Sequence, residues 1–524
     1  MIRVTNESLS APLRRPWKKG IAVGRAYDLL RADLLDHLRW LQKEIGFYSC
    51  RFHAVFHDDM AVVKRRSDGS IVYQWHHLDK VYDALLDMGL KPFVELNPMP
   101  AALASGSQTM FQYKMNVTPP RLWSEWHDLV QAFGLHCVER YGLEEVRDWH
   151  FEVWNEPNLA GFWSGTKQDY FRLYSHAAHA LKSVDSYLRV GGPATSKAHW
   201  LNDFLEYCDK EAVPLDFLST HLYPQDEFVE YANRESSPHA PGAFFGDIVR
   251  SVKRQMLDGK KTDLPIHWTE WNTQLATSSK DVTWLDNRYV DSLHGASFVA
   301  RQMTELDNEA DNFTYWVASD LFEESPQPNT PFSGTYGLLT VHGLPKATGN
   351  AFRFLECLRG PRLEFSPGRQ LPEHCGGVAT LEGRSIRVLL WNDIPPGMEA
   401  TEWDDALQLV LSPPISADSW LLTSRQIKAG SGSCCETWET MGRPVNLTEQ
   451  QMAVLAAQSE PASRVEILSP DEKGVLQTAF RLLANEVLLM EFSPSGPSAQ
   501  PKGNLLASDE NEFLEQAMGD QSRE

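Results

Sequence analysis

From residue 20 to about residue 320 the chain repeats one local pattern, a short apolar run followed by a segment of helical period. "GIAVG" (20–24) reads as a strand, and Leu30, Leu34, Leu38, Leu41 and Ile45 then fall at helical spacing. "FYSCRFHAVF" is the next run, followed by a helix with Leu78, Val81, Tyr82 and Leu85 that ends at Gly89, where a left-handed residue is expected. "LKPFVELN" and "WHFEVWNE" come next, and Thr166 with Asp169 has the spacing of a capping box opening the next helix. "LRVGGPA", "DFLSTHLY", "LPIHWTEWN" and "NFTYWVASD" complete the series. Alternation of this kind requires a parallel sheet covered by helices. About eight units over roughly 350 residues predict an α/β fold closed into a (β/α)8 TIM barrel, which takes ~250 residues plus insertions.

Past residue 360 the period changes from helical to alternating. "GVATLEGRSIRVLLWN" places Ile386, Val388 and Leu390 on one face, with Glu382-Gly383 at the turn. "ALQLVLS", "SRVEILSP" and "NEVLLMEF" are similar short strands, so 360–495 reads as a β-sandwich-like accessory domain. The catalytic barrel is assigned to 20–359, with residues 1–19 as an N-terminal extension for which the accessory domain is an open packing partner. The tail, 496–524, is acidic and has the composition of disorder ahead of that of a docking arm.

With 524 residues, two or more domains are expected. The net charge of −21 argues against nucleic acid or an anionic membrane as partner. No apolar run approaches the ~18–20 residues needed to cross a bilayer. Seven scattered cysteines and the absence of an apolar leader in "MIRVTNESLSAPLRRPWKKG" point to reduced thiols and a cytoplasmic, bacterial-type location. Nothing in the sequence sets an oligomeric state.

In a parallel barrel the strand C-termini form the mouth of the active site. Here those ends carry Arg51 and His53, Glu95 and Asn97, Asn155 and Glu156, His221 and Tyr223, Glu270, and Trp316. Carboxylates interleaved with aromatic rings suit a carbohydrate, the acids for the bond and the rings for the apolar sugar faces. Glycoside hydrolysis needs one carboxylic acid to protonate the leaving oxygen and a second to attack carbon or activate water. Glu156 and Glu270, on strands four and seven, are that pair, and close approach in a partly dry cleft would push their pKa values apart. Glu152, deeper on the same strand as Glu156, reads instead as a structural ion pair with Arg51. His57-Asp58-Asp59 and His76-His77 lack a third ligand at metal-binding spacing, so no metal is expected.

Ordered motifs along the whole chain carry a closer likeness. "CRFHAVFHDDM" (50–60), "KPFVELNPMPAALASGSQT" (91–109), "NVTPP" (116–120), "ERYGLEEVRDWHFEVWNEPNLAGFW" (139–163), "RVGGPA" (189–194), "HWTEWN", "FTYWVASDLFEE" (313–324) and "ETWETMGRP" (436–444) resemble glycoside hydrolase family 39, the β-xylosidases and α-L-iduronidases. The β-xylosidase branch is the nearer likeness, and coverage runs from about residue 20 to 490. The resemblance implies Glu156 as general acid/base and Glu270 as nucleophile. It implies Asn155 on the sugar 2-hydroxyl, and His221 and Tyr223 orienting Glu270 or lining its pocket. His53, Trp316 and Glu323 would hold the terminal sugar, and Phe111 would line the mouth. One departure is Leu275, where the family often has tyrosine.

The chain is accordingly expected to be an exo-acting retaining β-xylosidase that hydrolyses small xylo-oligosaccharides and needs no cofactor. β-Glucosidase and α-L-arabinosidase activities stay open, since one hydroxymethyl is a small energetic difference. A uronide needs a cation, and "SDLFEESPQPNTPFSGTYGLL" has neither Lys nor Arg, while the preceding loop offers only Lys280 and Arg288. A non-catalytic carbohydrate-binding protein would have lost one of the two glutamates, and both are present.

Overall fold

The structure, a computed structural model, describes residues 2–224, 226, 241–258, 262–273, 289–322, 324, 330–367, 374–394 and 407–495, with backbone alone at 241–244 and 257–258. Glu323, Leu275, Lys280, Arg288 and the tail from 496 lie outside the described residues.

Eight parallel strands close into a barrel: β2 (Gly20–Arg25), β3 (Ser49–His53), β4 (Lys91–Leu96), β5 (His150–Val153), β6 (Arg189–Thr195), β7 (Phe217–Leu222), β8 (Ile266–Trp271) and β9 (Asn312–Tyr315). Each is buried along almost its whole length, which is why these strands read as continuous apolar runs rather than alternating ones. Helices α1 (Ala32–Glu44), α2 (His76–Asp87), α3 (Trp123–Tyr141), α4 (Lys167–Val184), α5 (Leu201–Glu211), α6 (Pro241–Lys253), α7 (Leu293–Glu305) and α8 (Ala347–Glu356) surround it. The apolar stripes expected on the first two are the buried ones: Leu34, Leu38 and Leu41 on α1, and Leu78, Val81, Tyr82 and Leu85 on α2. Burying each such side chain contributes about 1.5–3 kcal/mol. The Thr166–Asp169 capping box opens α4, and Gly89 closes the turn after α2 at φ 76°.

Low in the barrel, four rings from β4, β5, β7 and β8 form a plug. Phe93 stacks on His150 at 5.1 Å, and Phe217 stacks on His267 at 4.9 Å. The two histidines lie 5.1 Å apart. Burial, then the neighbouring His267, drives His150 well below an ordinary histidine pKa, and burial above all holds His267 down to about 4. Neutral imidazoles can therefore serve here as core rings.

The second domain is one continuous mixed sheet of ten strands. In chain order its main members are β1 (Ile2–Ser10), β10 (Arg362–Pro367), β11 (Cys375–Glu382), β12 (Ser385–Asn392), β13 (Leu407–Leu411), β14 (Ser419–Ala429), β15 (Ser463–Leu468), β16 (Leu476–Phe480) and β17 (Val487–Ser495). The N-terminal β1 lies between β10, to which it is antiparallel, and β13, to which it is parallel. Residues 16–18 already belong to the barrel, where Trp17 packs on Phe352 at 5.7 Å. The alternation in β12 has a double purpose. Ile386, Val388 and Leu390 enter a core internal to the sheet domain, while Leu389 and Trp391 enter the barrel's own cluster. Strand β17 divides in the same way, Leu488, Met490 and Phe492 on one side and Val487 and Leu489 on the other. Both faces are thus apolar, and the two domains share a packed interface.

Candidate active site

The fourth run stops earlier as a strand than its sequence suggests. Strand β5 ends at Val153, and Trp154 and Glu156 take left-handed backbone angles, φ 71° and 44°. Positive φ takes a residue out of the ladder, so Asn155 and Glu156 sit on a turn above the strand. That turn is over-determined. The Trp154 indole donates to the Phe162 carbonyl at 2.9 Å, and the Glu156 amide donates to the Ala194 carbonyl at 2.8 Å. Strain held by its surroundings at a strand end commonly marks a functional position.

Arg51, fully buried on β3, is the hub of the site. Its Nε donates to Glu152 at 2.7 Å, Nη1 to Glu270 at 2.8 Å, and Nη2 reaches Glu95 at 2.8 Å and Asn155 at 2.9 Å. The Arg51–Glu152 pair is the one expected from the sequence, and Thr269 Oγ1 adds a second donor to Glu152 at 2.8 Å. Burial would lower the guanidinium's pKa, but Glu152, Glu95 and Glu270 more than reverse that and raise it. For Glu95, burial pushes up while Arg51 and His53 pull down, and the cations win.

Glu270 receives a second donor, the Tyr223 hydroxyl, at 3.0 Å on its other oxygen. Burial first, and the adjacent carboxylates after it, keep that phenol's pKa well above the usual value, so it remains a donor. His221 lies between the two glutamates, with Nδ1 3.1 Å from Glu156 Oε1 and 3.6 Å from Glu270 Oε2. Its Nε2 faces Arg51 Nη2 at 3.4 Å, and a guanidinium can only donate, so Nδ1 carries the proton and points at the glutamates. Burial lowers His221 to about 4, which keeps the ring neutral. Among the described residues Glu156 touches no cation directly. Burial raises it to about 7, with smaller downward pulls from Ser196, His53 and Arg51.

At the other side of the mouth, His53 Nδ1 lies 2.7 Å from Glu95, and Nε2 is 3.8 Å from Glu270 and 3.7 Å from Glu324. Burial alone would lower its pKa, yet Glu95 and the hydrogen bonds to Glu324 and Glu95 raise it to about 10, so His53 is cationic. Trp316 packs against it with ring centres 4.6 Å apart. Phe111 is farther out, stacked on Tyr113 at 5.3 Å, and Arg25 lies over the same Tyr113 ring at 4.5 Å. The structure therefore gathers Glu156, Glu270, Asn155, His221, Tyr223, His53 and Trp316 in one cleft and puts Phe111 at its rim.

Sequence reasoning assigns no role to Glu95, Glu324 or Tyr113, and takes Arg51 only as a structural partner. A usable signal exists for Arg51, an arginine inside the otherwise uncharged strand "SCRFH". Among the described residues, ligand-type atoms of Glu156, His221 and Glu270 lie within 4.8 Å of one another, a spacing that could also suit a metal ion. The surroundings fit an acid–nucleophile pair better. Both Glu270 oxygens already accept from Arg51 and Tyr223, and His221 Nδ1 presents a proton rather than a lone pair.

A parallel barrel with two carboxyl groups facing each other at its C-terminal mouth, one held by cations and one pushed toward neutrality, is the site of a glycoside hydrolase. Comparison with known proteins agrees, and the chain belongs to Glycosyl hydrolases family 39, which it matches over residues 1–475. It is 37% identical over 449 residues to a β-xylosidase of Caldicellulosiruptor saccharolyticus, covering 85% of this chain and 88% of that one. A β-xylosidase of Geobacillus stearothermophilus is 35% identical over 492 residues, covering 91% and 93%. The solved structure of a family 39 β-xylosidase from Caulobacter crescentus superposes with a TM-score of 0.78 at 32% identity, covering 94% of this chain and 99% of that one.

Proposed function

We propose that this glycoside hydrolase is an exo-acting β-xylosidase that cleaves small xylo-oligosaccharides with retention of anomeric configuration. The observation that carries this reading is the Glu156–Glu270 pair, whose nearest oxygens lie within 4.8 Å. That proximity is compatible with the ~5–5.5 Å between carboxyl groups of retaining enzymes and supports retention over the ~6.5–9.5 Å separation of inverting ones. Glu270, aligned by Arg51 and Tyr223, attacks the anomeric carbon while Glu156 gives its proton to the leaving oxygen. Glu156, now ionised, takes a proton from water, which displaces Glu270 and releases the sugar. Arg51 turns the Asn155 carbonyl oxygen toward itself, so the amide NH2 is the end that meets the sugar 2-hydroxyl. The double displacement uses no cofactor.

The sugar assignment rests on the names of the two long relatives. Among the described residues, the two arginines of the mouth support it against a uronide. Arg51 is engaged by Glu95, Glu152 and Glu270, and Arg25 by Asp28 and Asp59, so neither is placed to receive a substrate carboxylate.

The test is p-nitrophenyl β-xyloside with the wild type and Glu156→Ala, with and without azide. The phenol needs little acid help, so the variant should form the glycosyl-enzyme, stall, and be rescued by azide as the β-xylosyl azide. An α-azide would overturn retention. Hydrolysis of a glucoside or arabinoside in place of the xyloside would overturn the sugar assignment.

A further inference from the structure

Asn158 stands two residues beyond the acid/base, and both ends of its side-chain amide are engaged by one residue of a neighbouring strand end. The Ser196 amide donates to Asn158 Oδ1 at 2.9 Å, and Asn158 Nδ2 donates to the Ser196 carbonyl at 3.0 Å. Ser196 is buried and directly follows β6, in a stretch where Ala194, Lys197 and Ala198 take left-handed backbone angles, φ 51°, 64° and 55°. The acid/base turn is tied to the same stretch a second time, by the Glu156 amide on the Ala194 carbonyl at 2.8 Å. Within the turn the Leu159 amide closes on the Glu156 carbonyl at 2.9 Å. From the other side, Thr220 Oγ1 on β7 donates to the Thr195 carbonyl at 2.7 Å. Thr220 precedes His221, whose Nδ1 lies 3.1 Å from Glu156 Oε1.

A turn tied at one point can pivot about it, whereas a turn tied at two points keeps its direction. The Glu156 amide on Ala194 is the first point, and the paired bonds of Asn158 with Ser196 are the second. Glu156 at φ 44° needs such support, because a non-glycine residue persists in that region only where its surroundings hold it. The same stretch of β6 is joined through Thr220 to the strand that carries His221, so the acid is fixed relative to the rest of the cleft. Glu270 is held separately, by Arg51 at 2.8 Å and Tyr223 at 3.0 Å. The two carboxyl groups are therefore positioned by different contacts, and loosening the acid leaves the nucleophile aligned.

We propose that Asn158 is a positioning residue for the acid/base, clamping its turn to the end of β6 so that Glu156 meets the leaving oxygen. This rests on the role given to Glu156 above. The experiment compares wild type, Asn158→Ala and Glu156→Ala on p-nitrophenyl and methyl β-xyloside, with thermal midpoints alongside. Methoxide leaves only with a proton, whereas nitrophenolate needs little help. A misaimed acid should lower kcat/KM of Asn158→Ala on the methyl xyloside by about 10- to 100-fold. On the nitrophenyl xyloside kcat/KM should stay within about threefold, with kcat and KM falling together because the later base-assisted step slows. Equal falls on both substrates, or no fall on either, while Glu156→Ala shows the split, would overturn the clamp. No split in Glu156→Ala would overturn the acid assignment and the clamp with it. A wild type that prefers glucosides sinks the xylose assignment alone, because the clamp is then read on the two corresponding glucosides. Should Asn158→Ala fail to fold, Asn158→Asp decides. It keeps the bond from the Ser196 amide and loses the one to the carbonyl, so its split should be about 3- to 10-fold, and equal falls there overturn the clamp.

Discussion

Replacing Arg51 with lysine keeps a positive charge in the barrel and removes only the guanidinium's fork. That fork holds Glu152, Glu270, Glu95 and Asn155 at 2.7–2.9 Å, with His221 at 3.4 Å. An ammonium has three donors on one atom and cannot span acceptors on three strands and a turn. At least two buried acceptors therefore lose their partner, at about 1–3 kcal/mol each, or roughly 2–6 kcal/mol together. Against a total stability of about 5–15 kcal/mol the variant still folds, with its urea midpoint lowered by about 0.7–2 M for a slope near 3 kcal/mol per M. Catalysis should suffer separately. Glu270 keeps Tyr223 but loses the bond that fixes its other oxygen, and misplacement by about 1 Å costs on the order of 100-fold in kcat. The assay is urea unfolding followed by tryptophan fluorescence, paired with steady-state kinetics on an aryl xyloside. A midpoint within about 0.3 M of wild type together with kcat within threefold would refute the hub.

Three further outcomes are expected. Since Glu156 is raised to about 7 and must be protonated to act as acid, kcat/KM on an alkyl xyloside should fall as pH rises through about 7, and Glu156→Ala should lack that limb. His267 is depressed to about 4, so the unfolded chain binds its proton first and stability is full above about pH 6.5 and lost as pH falls toward 4. His267→Phe should remove about 2 kcal/mol of the stability difference between pH 7.5 and 5, seen in urea unfolding at both pH values. Lys346→Met leaves Asp291 and Asp320 facing each other without a cation, which should cost about 3–5 kcal/mol, and adding Asp320→Asn should recover part of it in the thermal midpoint.

The barrel is legible because its strands are buried on both faces and its helices carry one apolar stripe, and both leave a period in the sequence. The strand ends are less so. "WHFEVWNE" carries large apolar residues up to Trp154, yet that ring is held by Trp163 at 4.9 Å outside the ladder, and a left-handed turn has no signature in a tryptophan- or glutamate-bearing segment. Strand β1 is illegible as a strand. "IRVTNESLS" buries only Ile2 and Val4 fully, and its partners β10 and β13 lie at the far end of the chain. The two glutamates, with Asn155 and His221, stand out as polar groups closing apolar runs.

The site sorts its acids by contact with Arg51. Glu95, Glu152, Glu156 and Glu270 are all buried, and for Glu95 and Glu156 burial alone favours the neutral form. Glu95, Glu152 and Glu270 touch the guanidinium. Glu156 meets instead a neutral imidazole, that of His221, which is itself held neutral by burial beside the same Arg51. One arginine therefore holds the Glu270 carboxylate in place, while burial, against a weaker downward pull from that same arginine, leaves Glu156 near neutrality beside a neutral His221. The two glutamates differ in this barrel in that the guanidinium touches Glu270 and does not touch Glu156. For that reason Arg51→Lys should shift the basic limb of the pH profile as well as kcat, whereas a change confined to Tyr223 should move kcat alone.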